Sequence, residues 1–334
     1  MSTTKLKDIA EAAGVSINTV SRVLTGKTKG LRGNSAEKME RIQEIAREMN
    51  YTPNRAAQAM RTQRAFQIGV IAHEIHNPYT GRMLEIVGEE LGHFGYSLLL
   101  GLVSEDKHKW DKELNDFSKN LMDGVLNYHP YLHGDELEHH MGGRPVFTFD
   151  RSPEESPAML NMEGGVLLGM QHLRNLGHEN IALVTGPGRE TGHTRRITAF
   201  NSFYASQSIN PPSEWVIIPG WKYDDGEAAT DAFLKTGCTA CLAGNDLLAV
   251  GLCTGLRMQG YEVPKDFSIV SMDDTILSKM NRPQLTTVRP PVRELARLSV
   301  EGLLARVEGK KSPAFQMLMP SLVVRDSSGA LLAK

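Results

Sequence analysis

Two sets of residues in this chain have the types and spacing to do chemistry. The first is a run near the start: Ser16, Ile17, Asn18, Thr19, Ser21 and Arg22. A guanidinium presents paired donors that match a guanine edge, and short polar side chains reach neighbouring base edges. The second set is scattered through the chain, each member just after a strand-like run. Its members are Tyr79 in HNPY, Asp150 ending VFTFD, Arg196 in RRITAF, Trp221 in PGWKY, Asn245 in GND and Asp273 in SMDD. Carboxylates, an amide and a guanidinium supply the directional donors and acceptors that hydroxyl-rich ligands need. Aromatic faces add flat apolar contact. A strand-end Asp is equally used as a cap or turn former, so the set carries weight only together.

Bond-breaking chemistry is not legible. Lys27 follows Gly26 and precedes Thr28, as at the end of a phosphate-binding loop, but Ser21 stands where the earlier Gly is required. The loop TGPGRETGH, Thr185 to His193, has an extra residue before its last Gly for a dinucleotide fingerprint, and His where a phosphate loop needs Lys. No nucleophile–base pair is visible, so the expectation is a non-enzyme with no cofactor. Cys238-Thr-Ala-Cys241 lies in the apolar run CTACLAG and reads as buried thiols rather than a metal motif or disulfide. His73-x-x-His76 and His139-His140 lack an obvious partner set, so they read as solvent-facing or pocket-lining residues and no metal is expected.

The first set needs a helix to carry it. Leu6, Ile9, Ala10 and Ala13 fall at helical spacing, Gly14 suits a left-handed stop, and Ser16 can cap a second helix with Val20, Val23 and Leu24 inward. Ile17, Asn18, Thr19, Ser21 and Arg22 are then left for the outer surface or first turn. Helix, tight turn, helix is the helix-turn-helix pattern, with an ordinary helical hairpin as the bland reading. Charge favours the former. Residues 1–64 hold twelve Lys/Arg against six acids, and the remainder holds 25 against 33. A basic head on an acidic body suits a phosphate-binding module joined to a domain of another kind. The Gly-rich loop after it carries Lys27, Lys29 and Arg32. Ser35 begins a third helix with Met39, Ile42, Ala46 and Met49 inward, and Asn50-Tyr-Thr-Pro53 ends it. The segment from Asn54 to Met60 is helix-capable but too short to be stable alone, and a flexible linker is its other reading.

The second set needs strand ends. Strand-like runs over 67–72, 97–102, 124–128, 145–149, 180–184, 214–218, 240–243 and 268–272 alternate with helical stretches such as 79–92, 165–175 and 195–207. That rhythm implies parallel sheets with helices on both faces, and ligands collect at the carboxyl ends of such strands.

The motifs AGVSINTVSRVL, YTPN, QIGVIAHEIHNPY, HLRNLGHENIALVTGP, GND, SIVSMDD, LTTVRPP and LVVRDSS, in this order, cover nearly the whole chain. They resemble the lactose-repressor/galactose-repressor family of bacterial transcription regulators. The resemblance implies a small all-α helix-turn-helix headpiece over 1–53 and a hinge helix and linker over 54–65. It implies a periplasmic-binding-protein-like α/β core over 66–334, made of two doubly wound parallel-sheet subdomains (about 66–160 with 290–319, and 161–289 with 320–334). It also implies that Asn54, Arg55, Ala57 and Met60 contact DNA from the hinge, with Met60 where relatives commonly carry Leu. Asp150, Arg196, Trp221, Asn245 and Asp273 fall where relatives bind sugar or purine effectors, while Asn161-Met162 departs from the usual Asp-Asn.

The expected partners are therefore a pseudo-palindromic double-stranded DNA operator, a small-molecule effector, most simply a carbohydrate, and a second copy of the chain. The 334 residues, 40% hydrophobic and 23% charged, fit a soluble protein of two or three compact units. Without a run of about 20 apolar residues or a secretory signal, a cytoplasmic location is expected. A solute-binding protein for transport has no use for residues 1–60. A Rossmann-type enzyme is disfavoured by the two failed glycine motifs.

Overall fold

The computed structural model describes residues 4–24, 35–51, 59, 64–150, 153, 156–188 and 192–331. The chain divides into two compact units, residues 1–65 and 66–334.

The first unit is helical. Helices α1 (Leu6–Ala13), α2 (Ile17–Leu24) and α3 (Ser35–Glu48) enclose Ile9, Ala10, Val20, Val23, Ile42 and Ala46, with Leu6, Met39 and Met49 at the margin. Asp8 accepts from the Lys5 backbone N–H at 2.7 Å, closing the first turn of α1. Gly14 takes φ 64°, and the Val15 N–H returns to the Ala10 carbonyl at 3.0 Å, so α1 stops in a left-handed cap. The Ser16 hydroxyl accepts from the Thr19 N–H at 3.2 Å, as expected of a cap. Asn50 ends the third helix at φ 48°.

In the second unit the first lobe carries a parallel sheet in the order β2 (Ser97–Leu102), β1 (Gln67–Ala72), β3 (Gly124–Asn127), β4 (Val146–Thr148). Alternation splits its side chains between two cores. Ile68, Val70 and Leu126 join helices α4 (Pro78–His93) and α13 (Val292–Val307), whereas Ile71 and Val125 join α5 (Lys107–Ser118) and α6 (Gly134–His140). The second lobe carries six strands in the order β12 (Ser321–Val323), β10 (Thr286–Arg289), β9 (Ser268–Met272), β8 (Ala240–Ala243), β6 (Ile181–Val184), β7 (Val216–Ile217). All pairings there are parallel except β12 with β10. Helices α7 (Met162–Asn175), α8 (Gly192–Ala205), α9 (Tyr223–Ala228), α10 (Thr230–Lys235), α11 (Asp246–Met258) and α12 (Ile276–Met280) complete it. Between the lobes, β5 (Ala158–Leu160) pairs with β11 (Gln316–Leu318).

Where they differ from the sequence reading, the strands are mostly shorter. The run 214–218 contributes only Val216–Ile217, because Ser213–Trp215 winds into a 3-10 turn. Strands β5, β10, β11 and β12 had no expectation. All three cysteines are buried free thiols, and burial pushes Cys238 up to about 11.

Candidate functional site

On the headpiece, Ser16, Ile17 and Asn18 at the start of α2 and Arg22 in its last turn are exposed to solvent, and Ile17 keeps 47% of its surface exposed despite being apolar. Thr19 is half-buried and its hydroxyl meets that of Ser16 at 2.9 Å. Ser21 corrects the expectation of an outward side chain. It is 6% exposed and lies beside Val20 and Val23 on the inner face. In the sequence, a small polar residue beside an arginine looks outward. On the helix, residue 21 follows Val20 by only about 100°, so it stays within the wide buried arc. Lys27, Lys29, Arg32, Asn54, Arg55, Ala57 and Met60 lie outside the described residues.

In the second unit the carboxyl ends of strands from both lobes open onto one cavity of about 510 Å³. Tyr79, Asp150, Arg196, Trp221, Asn245 and Asp273 all line it. Each is placed by its element. Asn77 caps α4 by accepting from the Tyr79 N–H at 2.9 Å, which sets Tyr79 in the first turn. Asp150, two residues past β4, has φ 54°, and its carboxylate accepts from the Leu160 N–H at 2.6 Å. Asp273 follows β9 at φ 108°, held by its own N–H donating to Val288 at 2.9 Å. The Trp221 indole N–H donates to the Pro187 carbonyl at 2.9 Å. Arg196 lies over that indole, 5.1 Å from its centroid.

The glycine loop after β6 thereby acquires a physical role. A Cβ on Gly186 would fall 2.2 Å from the Trp221 ring, so its glycine admits an indole. Asn245 is more structural than its motif suggests. Its carbonyl oxygen caps α11 by accepting from Leu248 N–H at 2.8 Å, and its amide donates to the Trp221 carbonyl at 3.0 Å. Of the two adjacent arginines, Arg195 is taken up by Glu163 through two bonds of 2.7 Å and by the Leu160 carbonyl at 2.7 Å. Arg196 is the one that serves the cavity.

The electrostatics follow from burial. Burial pushes the Asp150 carboxyl up to about 6, against the pull of the Leu160 N–H and of Arg195 and Arg196. Asp273 is likewise raised well above the ordinary carboxylate range, by burial and by the nearby Asp246, with Arg196 opposing. Burial raises the Tyr79 and Tyr128 phenols and lowers Arg196. Two carboxyls, one guanidinium and two neutral phenols thus face one space. This arrangement suits a ligand that donates several hydroxyls and stacks a flat face.

Sequence reasoning missed some of the wall. Tyr128 and Phe149, edge to face at 5.7 Å, line the cavity at strand ends, where the rule that found Asp150 could have found them. Asp246 went unread because it looks like part of a helix start. It accepts from Ser271 Oγ at 2.6 Å, Thr275 N–H at 2.6 Å, Thr275 Oγ at 2.8 Å and Thr287 Oγ at 3.2 Å, and so ties β9, β10 and α11 together beneath Asp273. Asp274 binds Arg289 and Arg325 at 2.5 Å each, and its carbonyl accepts from Arg82 of the first lobe at 3.1 Å. That last bond crosses the cleft.

A helix-turn-helix unit and a two-lobed α/β unit with a polar cleft, in one chain, define a DNA-binding transcription regulator with a ligand-binding domain. Residues 5–54 match the bacterial regulatory proteins of the lacI family, and residues 170–328 match a periplasmic binding protein-like domain. The chain is 30% identical over 348 residues to the HTH-type transcriptional regulator reg1 of Streptomyces lividans, covering 98% of this chain and 97% of the relative. It is 28% identical over 333 residues to the ribose operon repressor of Halalkalibacterium halodurans, covering 97% of each. A solved lac repressor dimer bound to operator and the anti-inducer ONPF superposes with TM-score 0.82 at 28% identity, over 98% of this chain and 100% of that one. The chain belongs to the lacI family of bacterial regulatory proteins.

Proposed function

We propose that the protein is a cytoplasmic homodimeric repressor whose operator affinity is set by a carbohydrate in the cleft. The observation that carries this reading is the convergence of Asp150, Arg196 and Asp273 from separate elements on one 510 Å³ cavity, in a chain that also bears an exposed recognition helix. In this reading residues 1–53 bind DNA, with Ser16, Ile17, Asn18, Thr19 and Arg22 at the major groove. Residues 54–65 form the hinge, and Met60 enters the minor groove as an apolar wedge. Tyr79, Asp150, Arg196, Trp221 and Asp273 hold the effector, while Asn245 positions Trp221. A relative named for a ribose operon supports a sugar as the ligand class.

The test is to select genomic fragments with the purified protein and then measure their release or retention across a panel of neutral sugars. One pseudo-palindromic motif whose retention changes with one sugar is expected. Retention without sequence preference, or turnover of the sugar, contradicts the proposal.

A further inference from the structure

His73, Glu74 and Glu105 line the same cavity and converge, with one ligand atom of each within 4.8 Å of the others. The convergence is a consequence of register. Strands β1 and β2 are parallel neighbours with Ala72 opposite Leu102, so the segments carrying His73–Glu74 and Glu105 leave the sheet side by side at the same end. The 31-residue interval between the two glutamates hides this in the sequence.

The imidazole is held but not satisfied. The His129 ring meets it edge to face at 5.3 Å, and His129 in turn packs on Trp110 at 5.4 Å. Trp110 donates its indole N–H to the Ser104 carbonyl at 2.6 Å, which anchors the residue before Glu105 to the same cluster. Yet His73 Nδ1 is buried with no hydrogen-bond partner among the described residues. Nε2 stands 3.6 Å from a Glu105 oxygen and 3.9 Å from a Glu74 oxygen, beyond hydrogen-bonding reach. Burial lowers the basicity of the ring, the two carboxylates oppose that shift, and His76 adds to it. The imidazole and the two carboxylates thus form a set of one nitrogen and two oxygen donors with no hydrogen bond between them.

Imidazole nitrogen and carboxylate oxygen are donors that a divalent transition-metal ion takes. Bond lengths of about 2.0–2.2 Å put tetrahedral ligand atoms about 3.3–3.6 Å apart, and the three ligand atoms here already lie within 4.8 Å of one another. Small rotations of the two glutamates, of which Glu105 is 58% exposed, close the remainder. Magnesium, which prefers six oxygens and keeps its waters, suits an imidazole-containing site poorly. We propose that His73 Nε2, Glu74 and Glu105 bind one Zn²⁺-like divalent ion, its remaining coordination position open to the cleft. Nε2, the ring nitrogen that faces both glutamates, is the donor to the metal.

The experiment is titration calorimetry of untagged, chelator-treated full-length protein with ZnCl₂, and with MgCl₂ for comparison. Wild type is expected to take up one Zn²⁺ per chain at this site. Affinity should fall by about tenfold or more in His73→Gln and in Glu105→Gln, both melting like wild type without metal. His140→Gln, which removes another histidine–carboxylate pair (His140 and Asp111, 3.5 Å), should bind as wild type. A wild type that takes up no Zn²⁺, or one whose uptake survives intact in Glu105→Gln, overturns the proposal.

Discussion

Asp150 and Asp273 occupy left-handed backbone conformations, φ 54° and 108°, that most side chains avoid. Such strain persists where surrounding contacts over-determine it and is frequent at ligand sites. Both carboxyls are also held away from water, and for Asp150 this has a pH signature. Its folded-state value, about 6, lies above the ordinary 3.8. The stability linked to its proton is therefore fully present below the unfolded value and is lost as pH rises through about 6. Between pH 5 and pH 7.5 the loss is about 1 kcal/mol. Asp150→Asn removes this contribution, so the melting temperature of the variant minus that of wild type should be larger at pH 7.5 than at pH 5. An equal difference at both values would mean that Asp150 titrates normally. Asp246 makes the opposite kind of prediction. Replacing it by Ala strands four donors in a dry site and should cost about 3–5 kcal/mol in urea unfolding. A loss below about 1 kcal/mol would show that water reaches the cluster.

At the scale of elements, the recognition helix carries the sharpest claim. Arg22 is exposed on α2, whereas Ser21 is turned into the core. Arg22→Ala should cost about 1–3 kcal/mol on operator DNA and relax preference at one base pair per half-site. Equal losses on operator and random DNA would make it a phosphate contact instead. What was legible beforehand divides along physical lines. Strands such as QIGVIA and IALV are apolar runs buried on both faces, and composition alone reveals them. Strand β10, TTVR, is hidden because Thr287 donates to Asp246 and Thr286 Oγ lies 2.8 Å from Ser328 Oγ, so its burial is polar. Strands β5 and β11 are three residues each and exist only as a pair across the crossing segments. The cleft residues at strand ends were legible because parallel sheets place ligands there. The cap role of Asn245, the inward turn of Ser21 and the meeting of His73 with Glu105 depend on helix phase and strand register, which type and spacing alone do not specify.

At the scale of the molecule, the quantity that links ligand to DNA is a coupling free energy. A ligand shifts DNA affinity only through its differential affinity for two states of the cleft, typically about 1–3 kcal/mol. The Arg82–Asp274 bond is one interaction that spans the lobes in the observed state. Asp273 lies beside its second-lobe end, where an effector bound to Asp273 and Arg196 can bias the lobes. The most direct test is the operator dissociation constant of wild type and Asp273→Ala, by fluorescence anisotropy, with and without the sugar identified by fragment selection. Wild type should shift by about 5–150-fold, and Asp273→Ala should bind operator as unliganded wild type does and ignore the sugar. A variant that still responds by the wild-type factor contradicts the placement of the effector at Asp273, and with it the account of the cleft as the regulatory site.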